Sequence, residues 1–291
     1  MPQKTVLVTG CSAGGLGEAM AKVYHQKGFR VFAAVRNMAK VGYLSEIEGI
    51  EIVKLDVTSA ESIRECATSI GKNTGGSLDI LVNNAGLSTV FPLLDTSIEE
   101  AKKLFDTNVW ALVAMAQAFA PMLIKSKGTI CNVSSVSGEM VFAWQGKLRN
   151  THEVFLSSRS ATTRISETLR LEMEPLGVRV VTLILGGVQT IRNDATKIPD
   201  LELPANSYYQ NILSIIDRHH KVLVHPNKAN IDAAAANVVN DVLGSSGFFI
   251  RRGAASTLSW FCNTFLPYGI FISMINKESG LSDVGFSRNN A

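Results

Sequence analysis

The chain has 291 residues, 46% of them hydrophobic and 18% charged. That is enough to bury one large core, and no low-complexity tract points to disorder. The formal net charge of +3 comes from Lys and Arg spread along the whole length, so no basic stripe argues for nucleic acid as a partner.

The N-terminus enters an apolar strand, TVLVTG (5 to 10), with no long apolar stretch behind a charged leader. A secretory signal is therefore not expected, and the expected location is the cytoplasm. Cys11, Cys66, Cys131 and Cys262 show no CxxC or CxxH spacing and read as core thiols in a reducing compartment. The next stretch, TGCSAGGLGEA (9 to 19), follows a strand and opens a helix. In that setting glycines bring backbone N–H groups and a helix N-terminus against a pyrophosphate. Helical period runs through EAMAKVYHQKG (18 to 28), with Gly28 as the expected C-terminal cap.

Further apolar runs follow at RVFAAV (30 to 35), EIVKLDV (51 to 57), LDILVNNAG (78 to 86), GTICNVS (128 to 134) and VRVVTLILGG (178 to 187). Each is rich in Val, Ile and Leu, as strands buried on both faces are. Helical patterns lie between them, including one long helix expected over 97 to 123. Alternation of this kind implies an α/β fold: a Rossmann-type doubly wound parallel sheet with helices on both faces, in one domain over 1–291. Ligands of such sheets bind at the carboxyl ends of the strands, where the winding changes direction. At the end of the second strand an NAD-binding chain offers an acidic side chain to the ribose 2′-hydroxyl; here the residues are Ala34, Val35, Arg36 and Asn37. Arg36 suits a 2′-phosphate, so the expected cofactor is NADP(H).

TGCSAGGLG, LDV (55 to 57), NNAG (83 to 86), FDTNVW (105 to 110), NVSS (132 to 135) and SETLRLEME (166 to 174), in this order, resemble the short-chain dehydrogenase/reductase family over the whole chain. LPANSYYQNI (203 to 212) and RRGAASTLSWFCNTFLP (251 to 267) are similar to its fungal branch that includes acyl-dihydroxyacetone-phosphate reductases. The resemblance implies that Gly10, Ser12, Gly15, Leu16 and Gly17 hold the pyrophosphate side. It also implies that Asp56 and Val57 flank the adenine, that Asn84, Ala85 and Gly86 line the ribose side, and that Gly187, Val188 and Thr190 approach the nicotinamide end. The glycine loop is one residue longer than the commonest family form, which leaves open whether Gly14 or Gly15 makes the close approach. The family implies homo-oligomers as well.

The chemistry implied by the family is hydride transfer supported by Asn, Ser, Tyr and Lys. A forming alkoxide must be protonated, and a phenol whose pKa is lowered by an ammonium does that at neutral pH. Asn108 and Ser135 match the pattern; the Tyr and Lys do not. Counting forward from Ser135 by the family spacing lands on Leu148 and His152. Counting back from SETLRLEME lands on Phe155 and Arg159. The second alignment keeps the small residues of FLSSRSA around the pair and is preferred, which makes KLRNTHE (147 to 153) an insertion. Neither alignment supplies a phenol.

Cofactor binding is then expected to persist in a structural or positioning role, with Arg159 able to fork onto the ribose hydroxyls. His152 and Glu153, or Tyr208 and Tyr209 in a substrate loop within 198–225, are the candidate replacement proton donors. His219, His220 and His225 lack partners at ligand spacing, so no metal site is expected. From Gly253 to Asn276 no residue is charged. Asn263, Pro267 and Gly269 interrupt this apolar stretch, so 250–280 reads as a subunit contact, a lid or a peripheral membrane contact rather than a spanning helix. Three functions fit. One is a non-redox step (isomerisation, dehydration or cyclisation) on an apolar biosynthetic intermediate; the others are a reductase with a relocated acid and a catalytically silent NADP-binding protein.

Overall fold

The computed structural model describes residues 3–88, 92–140, 153–190, 200–221, 229–244, 247–270 and 272–273. One parallel sheet of seven strands forms its centre: β1 (Thr5–Thr9), β2 (Arg30–Val35), β3 (Ile50–Lys54), β4 (Ile80–Asn83), β5 (Thr129–Ser135), β6 (Arg179–Leu185) and β7 (Phe249–Arg252). Their spatial order is β3-β2-β1-β4-β5-β6-β7. The chain winds outward from β1 through β2 to β3, then returns to the far side of β1 to begin β4. The winding therefore switches between β1 and β4, and a crevice opens there at the strands' carboxyl ends.

The helices are α1 (Leu16–Gln26), α2 (Ala60–Asn73), α3 (Ile98–Phe105), α4 (Ala111–Ser126), α5 (Glu153–Met173), α6 (Leu213–Lys221), α7 (Ile231–Gly244) and α8 (Ser256–Phe265). Strand side chains alternate between the two faces. On one face Val6, Val8, Val31 and Val181 pack against Met20 and Tyr24 of α1 and Val238 and Val239 of α7. On the other, Leu7, Phe32, Leu81 and Ile130 pack against Ile63 and Ile70 of α2, Phe119 and Leu123 of α4, and Met173 of α5. Each such side chain, fully buried, stabilises by about 1.5–3 kcal/mol. The doubly wound α/β fold expected from the sequence is the fold observed.

Two local features differ from the sequence reading, and a third, the glycine expected to cap α1, agrees with it. The seventh strand, β7, is short, ends in two arginines and exposes Phe249, so it lacks the continuous apolar run of an inner strand; it forms one edge of the sheet, and β3 the other. The helix expected over 97 to 123 is broken by a π-helical turn at Asp106–Trp110, between α3 and α4. Such turns displace a carbonyl from the helical ladder, and here the Thr162 hydroxyl donates to the Asn108 carbonyl at 2.9 Å. Finally, α1 stops at Gln26, and Gly28 supplies the left-handed residue beyond it at φ +81°.

The stretch Ile98–Ser126 has the length and hydropathy of a membrane-crossing helix, but half of its most apolar window is buried within the protein. α8 packs inward through Ser256 and Ser259 and leaves Leu258, Phe261 and Phe265 exposed. The expected substrate-loop region is described at 200–221, where Leu201, Ile212 and Ile216 form a small cluster of their own. Leu148, His152, His225 and residues 274–280 lie outside the described residues, as do the side chains of Glu153, His219 and His220.

Candidate functional site

The crevice at the switch point is walled by the loops that leave β1, β2 and β4 and by the chain that follows β3. Gly10, Ser12, Gly15 and Leu16 form one wall, Arg36, Asp56 and Val57 the next, and Asn84, Ala85 and Gly86 the third; Thr190 closes it from beyond β6. Gly14, the alternative to Gly15 in the sequence reading, lines it as well, and that reading missed Thr9, Ala13, Leu55, Thr58, Leu87 and Thr107, which share the lining. Thr9 ends β1, Leu55 directly follows β3, and Ala13, Thr58 and Leu87 lie within four residues of a strand's carboxyl end, which was the available signal.

Gly17 stands behind this wall. A Cβ there would meet the Asn84 Nδ2 at 2.5 Å and the Gly10 carbonyl oxygen at 2.6 Å, so only glycine lets α1 start this close to β1 and β4. The Asn84 amide in turn donates to the carbonyl of Thr9 at 2.8 Å and ties the β4 loop to the β1 loop. At the opposite end, burial works to raise the Asp56 pKa. The Thr58 amide and hydroxyl, at 3.0 and 2.7 Å, and the charge of Arg36 outweigh that and hold the carboxyl below its ordinary value.

Asn108 sits on the π-helical turn and is buried. Its Oδ1 accepts from the Leu87 amide at 2.8 Å, and its Nδ2 donates to the Leu87 carbonyl and to the Ser158 hydroxyl, both at 3.0 Å. Both amide protons are therefore committed within the protein. Ser158 passes its own proton to the Phe155 carbonyl at 2.7 Å, which links Asn108 to the first turn of α5. No feature of the sequence singled out Ser158.

Phe155 is buried, and the Arg159 guanidinium lies over its ring at 5.1 Å, one turn along α5. Arg159 reaches back toward β4 and β5. Its Nη1 donates to the Val133 carbonyl at 3.0 Å, and its Nη2 lies where a Cβ on Gly86 would stand 2.5 Å away. Its Nε is buried without a hydrogen-bond partner. Burial lowers the guanidinium pKa to about 10, so it stays charged at neutral pH. Arg159 and Asn108 line a small hollow that shares Thr9, Val57, Ala85 and Thr107 with the main crevice. Ser135 ends β5, half-buried, and accepts from the Ser137 amide at 3.2 Å.

Other candidates stand apart from the crevice lining. Gly187 and Val188 continue β6 and bridge Ala254 and Ala229 respectively. Tyr208 is exposed, and Tyr209 packs against the cluster of Leu201, Ile212 and Ile216. Cys11 is buried beside the glycine loop, and burial pushes its thiol pKa up, so it carries no reactive thiolate. Among the described residues no group of three His, Cys, Asp or Glu side chains could hold a metal ion.

Residues 4–198 match the short chain dehydrogenase family, and the chain belongs to it. It is 68% identical over 283 residues to the short-chain dehydrogenase cctT of Talaromyces islandicus, covering 97% of this chain and 98% of that one. It is also 39% identical over 209 residues to the NADPH-dependent 1-acyldihydroxyacetone phosphate reductase of Schizosaccharomyces pombe, covering 71% and 68% respectively. A short-chain dehydrogenase from Streptomyces avermitilis shares the fold, with a TM-score of 0.74 at 22% identity, over 98% of this chain and 97% of that one.

Proposed function

We propose that this protein binds NADP(H) and uses the pocket beyond it for a non-redox step, an isomerisation, dehydration or cyclisation, on an apolar biosynthetic intermediate. The observation that carries the reading is the pair Phe155 and Arg159, one turn apart on α5 and joined through Ser158 to Asn108. In family terms these are the places of the phenol and the ammonium.

The crevice residues fit the dinucleotide. The glycine loop brings α1's N-terminus to the crevice wall, where the helix dipole favours a phosphate, and Arg36 is exposed at the end of β2 for a 2′-phosphate. The Schizosaccharomyces pombe relative carries NADPH and an acyl substrate in its name, which supports the same cofactor and an apolar ligand. Bound NADPH supplies a hydride donor. Residue 155 cannot complete a reduction as a phenol would: a phenyl ring has no ionisable proton, and one general acid is typically worth ~10²–10⁴-fold in rate. Arg159 stays protonated and acts as a fixed charge that orients. Positioning a flexible intermediate beside Ser135 contributes to catalysis without proton transfer from residue 155. The exposed aromatic face of α8 supports a homo-oligomer, with that face as a contact between copies.

A titration that follows nicotinamide fluorescence is expected to show NADPH binding; none at millimolar cofactor would reject the reading. The double variant Phe155→Tyr, Arg159→Lys is expected to show no robust NADPH oxidation with simple ketones. Vigorous NADPH consumption by that variant would show that the two residues alone divert the chemistry.

A further inference from the structure

The lengthened glycine loop has an unusual account of its backbone amides. Cys11 donates to the Ala34 carbonyl at 3.0 Å, Ala13 to the Lys40 carbonyl at 2.8 Å, and Gly15 to the Ser12 carbonyl at 3.1 Å. Gly14, at φ +68°, turns its N–H onto a side chain instead, the Oε2 of Glu18, at 2.6 Å. Among the described residues no partner takes the amides of Ser12, Leu16 or Gly17. Those three donors sit at or just behind the crevice wall.

Glu18 itself is only 8% exposed, with Lys22 at 3.2 Å as its counter-charge. A carboxylate in a helix's first turn is favoured by the dipole. It also places a negative charge beside the loop that is to receive phosphates, so it either holds the loop or repels the ligand, and the two roles make opposite predictions.

We propose that Glu18 is a positioning residue for the dinucleotide: by taking the Gly14 amide, it fixes the extra residue of the loop in the shape that leaves the Ser12, Leu16 and Gly17 amides available to the pyrophosphate. The inference rests on the NADP(H) reading above. The carboxylate acts as an acceptor at one stated atom, and its charge is secondary. An amide side chain at 18 presents the same oxygen and keeps the loop; a methyl does not. Without the acceptor, Gly14 is free to rotate, and the loop must be ordered by the ligand at the ligand's cost.

The test compares wild type, Glu18→Gln and Glu18→Ala for binding of NADPH and of 2′-AMP, which carries the adenine and 2′-phosphate but no pyrophosphate. Glu18→Gln is expected within about threefold of wild type for NADPH, and Glu18→Ala weaker by about tenfold, as suits loss of a charge-assisted hydrogen bond. 2′-AMP is expected to bind all three alike. The proposal is overturned if Glu18→Ala binds NADPH like wild type, if both variants bind it more tightly, or if Glu18→Gln is as weak as Glu18→Ala. Equal loss of NADPH and 2′-AMP in Glu18→Ala would likewise overturn it, since that is the mark of a damaged fold. Lys22→Ala, which removes the ion pair and keeps the Gly14 bond, is expected to leave NADPH affinity unchanged, and a tenfold loss there would assign the effect to charge. Wild type that fails to bind NADPH sinks the cofactor reading and this inference together; wild type that binds while Glu18→Ala binds equally sinks this inference alone.

Discussion

The two ends of the crevice are built differently. At the nucleotide end the loop after β1 satisfies its donors locally or leaves them at the wall, and Gly17 permits contacts that no other residue could. At the proposed reaction end the Arg159 Nε is buried without a hydrogen-bond partner. Such a group costs about 1–3 kcal/mol relative to a satisfied one. The difference teaches that the nucleotide wall is built to close tolerance, whereas the opposite end carries a buried polar atom that nothing among the described residues compensates.

The largest expected effect breaks the receptor. Gly17→Ala places a methyl within 2.6 Å of the Gly10 carbonyl, and backbone on both sides must move. Overpacking of about 1–3 kcal/mol corresponds to a tenfold to hundredfold loss of NADPH affinity, read by fluorescence titration. Affinity that stays within about threefold would mean that the loop is far softer than the packing implies.

A smaller effect is expected where the reaction end is already uncompensated. Arg159→Met keeps the length of the side chain, removes a buried charge with an orphaned Nε, and gives up one bond to the Val133 carbonyl. Replacing a buried charge by an apolar side chain of similar volume is often neutral or stabilising, so the variant is expected to unfold within about 1 kcal/mol of wild type in urea. A loss of more than about 3 kcal/mol would show that this charge is well compensated, and the contrast between the two ends would fail.

The same contrast explains what could be read from sequence. The five inner strands are apolar on both faces and announce themselves, and the apolar run of the edge strand β3 was legible too; β7 was hidden because Phe249 is exposed and Arg251 and Arg252 pair with Glu139 and Asp241. The glycine loop was legible because glycine spacing records a steric demand. Glu18 was hidden because a glutamate in a first helical turn is ordinary until its partner is known. Phe155 and Arg159 were picked out by the preferred one of two alignments to the family pattern, and the structure places them together one turn apart on α5. The inward turn of the guanidinium onto Val133 was not, since it depends on the space left by Gly86, seventy-three positions earlier in the chain. The break at Asp106–Trp110 was hidden for a related reason: DTNVW contains no Gly or Pro, and what stabilises it is a hydroxyl from α5.

The smallest effect sharpens the nucleotide end through pH. Asp56 is held below its ordinary pKa of about 3.9 by Thr58 and Arg36, against the opposing pull of burial. A carboxyl whose folded pKa is depressed stabilises the fold fully above its unfolded value, and that contribution is lost as pH falls through the lower folded value. Asp56→Asn cannot carry the charge, so its stability relative to wild type should be constant from neutral pH down to about pH 5. Below about pH 4 the wild type should lose its advantage and the two urea midpoints converge. A gap that persists undiminished at pH 3 would mean that a neutral carboxyl holds Thr58 as well as the ionised one does, so that the Asp56 charge serves the ligand rather than the fold.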